Sequence, residues 1–182
     1  MKQALYSVWE TVEAIVIAFA AVFFIKAFLV QPFVVQGSSM VPSFHSGDYV
    51  LADELTYRFR DPERGEIVVF RYPGNLKTYY IKRIIGLPHE RLVLKSGSIT
   101  VFNTEYPEGL TLKEGYLPSS TAQGAVQEVT LRGDEYFVMG DNRAYSYDSR
   151  SWGMLPEEDI IGVVRFRLLP ITRVMAVEKP IY

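Results

Sequence analysis

The chain has 182 residues, 48% of them hydrophobic and 22% charged, which supports one folded domain with a short extra element. That balance excludes disorder, and a net charge of −2 without a basic stripe leaves no electrostatic footprint for nucleic acid. With no cysteine and only His45 and His89, disulfides and thiolate metal sites are excluded, and neither a metal nor a cofactor is expected.

Residues Ala14–Val30 read AIVIAFAAVFFIKAFLV, an apolar run broken only by Lys26. As a helix the run is roughly 25 Å long. Extended backward through Val12, it is long enough for one tilted membrane crossing. The sequence therefore predicts an anchor over residues 1–31, with a transmembrane helix over about 12–30. Lys26 falls near its end, where the ammonium can snorkel to the interface. Gln31-Pro32 then stops the helix. A cleaved signal peptide is the rival reading. It is disfavoured because the run lacks a strongly basic start and a small-x-small site after its end. Lys2 and the amino terminus are offset by Glu10 and Glu13, so charge alone leaves the orientation open.

Residues 32–182 change character. Short β-rich runs at Tyr49–Ala52, Glu66–Phe70 and Thr78–Ile85 are bounded by the turns Ser46-Gly47-Asp48, Pro73-Gly74-Asn75 and Gly86-Leu87-Pro88. Further strands are expected at Leu92–Leu94, Ser98–Phe102, Glu128–Leu131, Tyr136–Met139 and Ile160–Leu168. Pro156-Glu157-Glu158-Asp159 reads as one helical turn, with proline at its start and acids near its positive end. No long amphipathic helix competes, so the domain should be mainly β. Between about 104 and 133 the pattern weakens, which reads as a small inserted flap.

Three places carry chemistry. Ser39 stands in Gly37-Ser38-Ser39-Met40-Val41-Pro42, nine residues beyond Val30. A serine hydroxyl needs a base, and a lysine serves only if burial lowers its pKa from about 10.4. Lys82 sits in an alternating apolar strand, with Tyr80, Lys82 and Ile84 on one face and Ile81, Arg83 and Ile85 on the other. Gly140–Arg150 (GDNRAYSYDSR) is dense in Asp, Asn, Arg and Ser, as a hydrogen-bonded network would be. Each piece alone has a plainer reading: a loop serine, a snorkelling lysine and a solvated turn. Their order is what gives them meaning.

Ser-Met-x-Pro, Arg64-Gly65-Glu66-Ile67-Val68-Val69-Phe70, Lys82-Arg83-Ile84-Ile85-Gly86-Leu87-Pro88 and the Gly140–Arg150 box, after an anchor, resemble the type I signal peptidases in their short bacterial form. The resemblance covers nearly the whole chain. It implies a coiled β-sheet catalytic core over 32–182, of the kind shared with repressor-cleaving autoproteases, preceded by one membrane helix. It implies Ser39 as nucleophile, Lys82 as general base, Ser146 hydrogen-bonded to that lysine, and an Asp148–Arg150 ion pair with Arg83 close by. The Ser39 backbone N–H would hold the oxyanion. Shallow pockets for small side chains at −3 and −1 would be lined by Phe33, Val35, Met40, Phe44, Val50, Val69, Tyr80 and Ile81.

The implied partners are signal peptides of exported precursors and the lipid bilayer, with no nucleic acid and no metal. The implied place is the bacterial cytoplasmic membrane, single-pass, with the catalytic domain on the extracytoplasmic side. Pro42-Ser43-Phe44 departs from the family's frequent Pro-Thr-Leu, and His89-Glu90 stands where Gly-Asp is common. Asn103-Thr104 replaces a common Asn-Gly turn, and Gly37 offers no side chain as a second oxyanion donor.

Other readings remain open at this level. One is a Ser–Lys autoprotease, disfavoured by the membrane run. Others are a peptidase dedicated to one secretion or conjugation system, and a membrane-anchored domain that only binds. His45 as the base is the weakest, since it stands in an expected turn.

Overall fold

The computed structural model describes residues 9–20, 30–117, 126–180 and 182. Residues 9–20 form helix α1, exposed along its length. No helix among the described residues is long and apolar enough to cross a membrane. The expected membrane helix over about 12–30 falls partly on 21–29, which, with Lys26, lie outside the described residues. Its expected C-terminus differs: Val30 opens strand β1 (Val30–Val34), which pairs antiparallel with β2 (Tyr49–Asp53) from Val30↔Asp53 to Val34↔Tyr49. Pro32 is tolerated there because β1 is an edge strand, so its missing N–H breaks no ladder.

The main sheet runs β1-β2-β11-β3-β4-β9-β10, with β12 on β11. Here β3 is Ile67–Tyr72, β4 is Asn75–Gly86, β9 is Glu135–Met139, β10 is Leu155–Pro156, β11 is Ile160–Leu169 and β12 is Met175–Ala176. Each neighbouring pair is antiparallel, so β1 and β4, on either side of three strands, run in the same direction. The seed of every long strand matches a β-branched or aromatic run in the sequence. The short β10 and β12 carry no such run.

Strand β4 decides where the chemistry sits. Its outer half is exposed, and from Lys82 to Gly86 both faces are buried. Ile81 packs against Val35, Val50 and Val69, Ile84 joins Val68, Phe70, Tyr136 and Val138, and Ile85 joins Leu92, Phe137 and Met139. Three apolar clusters thus meet along five residues. Each fully buried aliphatic side chain contributes about 1.5–3 kcal/mol, so this stretch is held firmly from both sides.

A second sheet, β7-β6-β5-β8, contains β5 (Arg91–Lys95), β6 (Ser98–Phe102), β7 (Leu110–Thr111) and β8 (Gln127–Thr130). The flap expected at 104–133 is therefore part of a unit that begins at Arg91. Its own residues lacked a strong pattern because β7 and β8 are short strands completed by partners earlier in the chain. At the turn into this unit His89 has a φ of 67°, the left-handed conformation for which the common glycine is suited. Glu90 secures that turn, accepting hydrogen bonds from Leu87 N–H (2.9 Å) and Asn103 Nδ2 (2.8 Å).

Candidate active site

Ser39 lies in the loop between β1 and β2, and the loop is tied down from three directions. Val35 N–H donates to Asp48 O and Gly47 N–H to Val35 O, both at 2.9 Å, which closes its base. Met40 and Phe44 plug into the core beneath it, 1% and 2% exposed. Arg167, from β11, donates to Ser43 O (2.9 Å) and Asp48 Oδ2 (3.1 Å) while its guanidinium covers the Phe44 ring. The sequence reading put Met40 and Phe44 in the substrate pockets. The turn at 40–44 (Phe44 N–H to Met40 O, 2.8 Å) brings both into the apolar cluster they share with Val35, Val50 and Val69, and neither is among the residues that line the cleft described below.

Lys82 Nζ reaches Ser39 Oγ at 2.7 Å and donates to Ile81 O at 2.9 Å. The side chain is 4% exposed and lies over the Tyr80 ring. Burial pulls its pKa down to about 8, and the more distant Asp148 and Asp141 carboxylates only partly oppose this. A neutral amine beside a serine hydroxyl can accept its proton.

The Gly140–Arg150 loop forms the far wall. Asp148 is fully buried and serves the loop in three ways. It accepts from Gly140 N–H (3.0 Å), caps α2 (Ser149–Trp152) through Arg150 N–H (3.3 Å), and pairs with the Arg150 guanidinium by two 2.8 Å bonds. Burial opposes its charge, but Arg150, the Ser146 hydroxyl and Gly140 N–H outweigh it and hold the carboxyl below its ordinary range. Gly140 has no room for a side chain: a Cβ there would stand 2.2 Å from Ser146 Oγ and 2.4 Å from Ser39 O.

Ser146 Oγ is buried in this corner, but the expected hydrogen bond to Lys82 is not formed. Lys82 spends its contacts on Ser39 and on its own neighbour's carbonyl, while Ser146 faces Gly140 and Asp148. Arg83, expected near the Asp148–Arg150 pair, takes another partner: Nε and Nη2 donate to Asp141 at 2.9 and 2.7 Å, and Nη1 to Gly65 O at 2.8 Å. Asp141 also accepts from Ser43 Oγ at 2.5 Å, so it joins the nucleophile's loop to β4. Sequence reasoning passed over Asp141. The burial of Arg83 and the approach of Ser43, which give Asp141 its role, come from the fold and not from spacing along the chain.

A cleft of about 640 Å³ runs between β1 and β4 to Ser39 and Lys82. Phe33, Val35, Val50, Val69, Tyr80 and Ile81 are among the residues that line it. Tyr79, Tyr145 and Tyr147 add an aromatic rim, with the Phe33 and Tyr79 rings 5.5 Å apart. These three tyrosines had no distinguishing sequence signal.

A proton-accepting amine, a hydroxyl and a strand-wide cleft make up the working parts of a serine endopeptidase, and the comparisons with known proteins agree. Residues 8–169 match the family model described as signal peptidase, peptidase S26. A probable signal peptidase I-2 from Synechocystis sp. is 37% identical over 155 residues, covering 82% of this chain and 68% of that protein. Signal peptidase I from Bacillus amyloliquefaciens is 35% identical over 180 residues, covering 93% and 90%. A solved signal peptidase I from Enterococcus faecalis is 27% identical, with a TM-score of 0.48 over 57% of this chain and 97% of that one. The chain belongs to the signal peptidase S26 family.

Proposed function

We propose that this serine endopeptidase removes signal peptides from exported precursor proteins, with Ser39 as nucleophile and Lys82 as general base. The observation that carries this reading is the 2.7 Å contact between Ser39 Oγ and a buried Lys82 Nζ. With the amine neutral, the Ser39 hydroxyl is the donor in that contact. As Oγ attacks the scissile carbonyl, its proton moves to Nζ, and the carbonyl oxygen becomes an oxyanion facing the Ser39 N–H. The tetrahedral intermediate collapses, Nζ gives the proton to the leaving amine, and an ester to Ser39 remains. Lys82, neutral again, takes a proton from water as its oxygen attacks the ester; the second tetrahedral intermediate collapses, Nζ returns the proton to the departing Ser39 Oγ, and the signal peptide leaves with a new carboxyl terminus.

Supporting this site, Arg83–Asp141 and Asp148–Arg150 brace β4 and the far loop, and Ser146 fills the corner against Gly140. The walls, half-buried at Phe33, Tyr80 and Ile81 and backed by the buried Val35, Val50 and Val69, leave shallow apolar space, which suits small residues at −3 and −1. The apolar run through residues 12–30 would hold the enzyme in the cytoplasmic membrane, with residues 32–182 on the extracytoplasmic side.

The test is cleavage of a model precursor by the full chain in detergent, with N-terminal mapping of the product. Wild type should cut after a small-x-small sequence, and Ser39→Ala and Lys82→Ala should both be inactive while still unfolding cooperatively. Cleavage by Ser39→Ala at the wild-type rate would refute the assignment.

A further inference from the structure

Asn142 grips the backbone on both sides of the Ser39 α-carbon. Its side-chain amide donates to Ser38 O at 3.1 Å, and its backbone N–H donates to Ser39 O at 2.9 Å. The first of these bonds has a directional consequence. Ser38 C=O and Ser39 N–H belong to one trans peptide group, so they point opposite ways across a rigid plane. Holding Ser38 O against Asn142 therefore aims the Ser39 N–H away from the Gly140–Arg150 loop. Val41 N–H also donates to Ser38 O, at 3.2 Å. Two donors on one carbonyl polarise the shared peptide group and make its N–H a better donor. Among the described residues, Ser39 N–H itself donates to no backbone carbonyl.

We infer that Asn142 is a positioning residue for transition-state stabilisation, fixing through the Ser38–Ser39 peptide plane the N–H that meets the oxyanion. The inference rests on the reading of Ser39 as nucleophile. It also bears on Gly37, which has no side chain to offer as a donor: a site relying on fewer donors depends more on the aim of the one it has. Asn142 is half-buried at the edge of the site, and its backbone bond to Ser39 O survives any substitution. Side-chain variants thus isolate the amide's contribution from the loop's general attachment.

The test uses full-length Asn142→Ala and the near-isosteric Asn142→Asp, which loses the amide donor, beside wild type and Ser39→Ala. Removing an oxyanion donor outright lowers kcat by roughly 10²–10³, so misaiming one should lower it about 10-fold or somewhat more. KM should stay within about twofold, and in Asn142→Ala, which adds no charge near Lys82, the acidic limb of the pH–rate profile should not move. A peptide aldehyde, which forms a tetrahedral adduct on the serine, should bind more weakly by the same factor as kcat. The matching peptide amide, which forms none, should bind as it does to wild type.

An unchanged kcat would overturn the inference. So would equal losses for aldehyde and amide, or loss of the folded state in both variants, which would make the amide merely a structural tie. Failure of the underlying reading looks different: Ser39→Ala would still cleave, or wild type would bind aldehyde and amide alike.

Discussion

Lys82 and Arg83 are neighbours in β4, both buried, and they hold opposite relations to negative charge. Arg83 has the Asp141 carboxylate in a two-bond clasp, which holds its charge despite burial. Lys82 has no carboxylate in contact, so burial prevails and its pKa falls to about 8. Strand alternation produces the contrast: successive side chains leave β4 on opposite faces, one into the cleft and one toward the Asp141 loop. One strand thus supplies a fixed cation and a titratable base.

The rate should follow the neutral fraction of Lys82. Below pH 8, kcat/KM is expected to rise about tenfold per pH unit, then level above it. Peptide cleavage measured from pH 6 to 10 tests this, and a profile flat between 6 and 8 would contradict a lysine base.

The same shift predicts a stability effect. Lys82 has a folded pKa near 8 against an ordinary value of 10.5, so between these pH values the unfolded chain binds the extra proton and stability rises with pH. At pH 7 the charged lysine is held at a cost. Lys82→Met should therefore be inactive yet more stable than wild type at pH 7, by about 2–3 kcal/mol. The gap should close as pH approaches 10. Denaturant unfolding at pH 7 and pH 10 measures both arms.

The Arg83–Asp141 pair should behave as a buried unit. Asp141→Ala strands a guanidinium that is 4% exposed and should destabilise by about 3–5 kcal/mol. Arg83→Met/Asp141→Leu should cost much less than the two single changes added together. A double-mutant cycle in urea is the measurement, and simple additivity would show that the pair is not coupled.

Phe44 and Ile81 should separate stability from specificity. Phe44→Ala empties a fully buried site and should cost about 3–5 kcal/mol, with no change in which residues are accepted at −3. Ile81→Ala opens a wall of the cleft and should admit larger side chains there with a smaller loss of stability. Cleavage of precursors varied at −3, beside melting curves, distinguishes the two.

The long strands were legible because their β-branched and aromatic runs lie between strong turn residues, as at Thr78–Ile85 between Gly74 and Pro88. Lys82 was legible because a lysine among isoleucines is out of place in an exposed strand. Phe44 was not legible in detail, because an aromatic beside a nucleophile reads equally as pocket or floor, and its burial comes from the turn of residues 40–44. Ser146 and Arg83 were located in the right region, but with partners that depend on side-chain reach, which spacing does not encode. The second sheet was underestimated because β7 and β8 are short and gain their order from β5 and β6. Asp141 needed the fold: its two partners, Ser43 and Arg83, come from different elements.

Strand β11 lies between β2 and β3, although it is made after both. Among the described residues, the strand ladder that joins the β1–β2 side of the sheet, which carries Ser39, to the β3–β4 side, which carries Lys82, runs through residues 160–169. During synthesis, neither a chain ending before Ile160 nor a fragment lacking that segment has a continuous sheet to bring the hydroxyl to the amine. A segment far from both residues in the chain thus sets the distance between them, and a change that frays residues 160–169 is expected to cost activity while leaving Ser39 and Lys82 themselves intact.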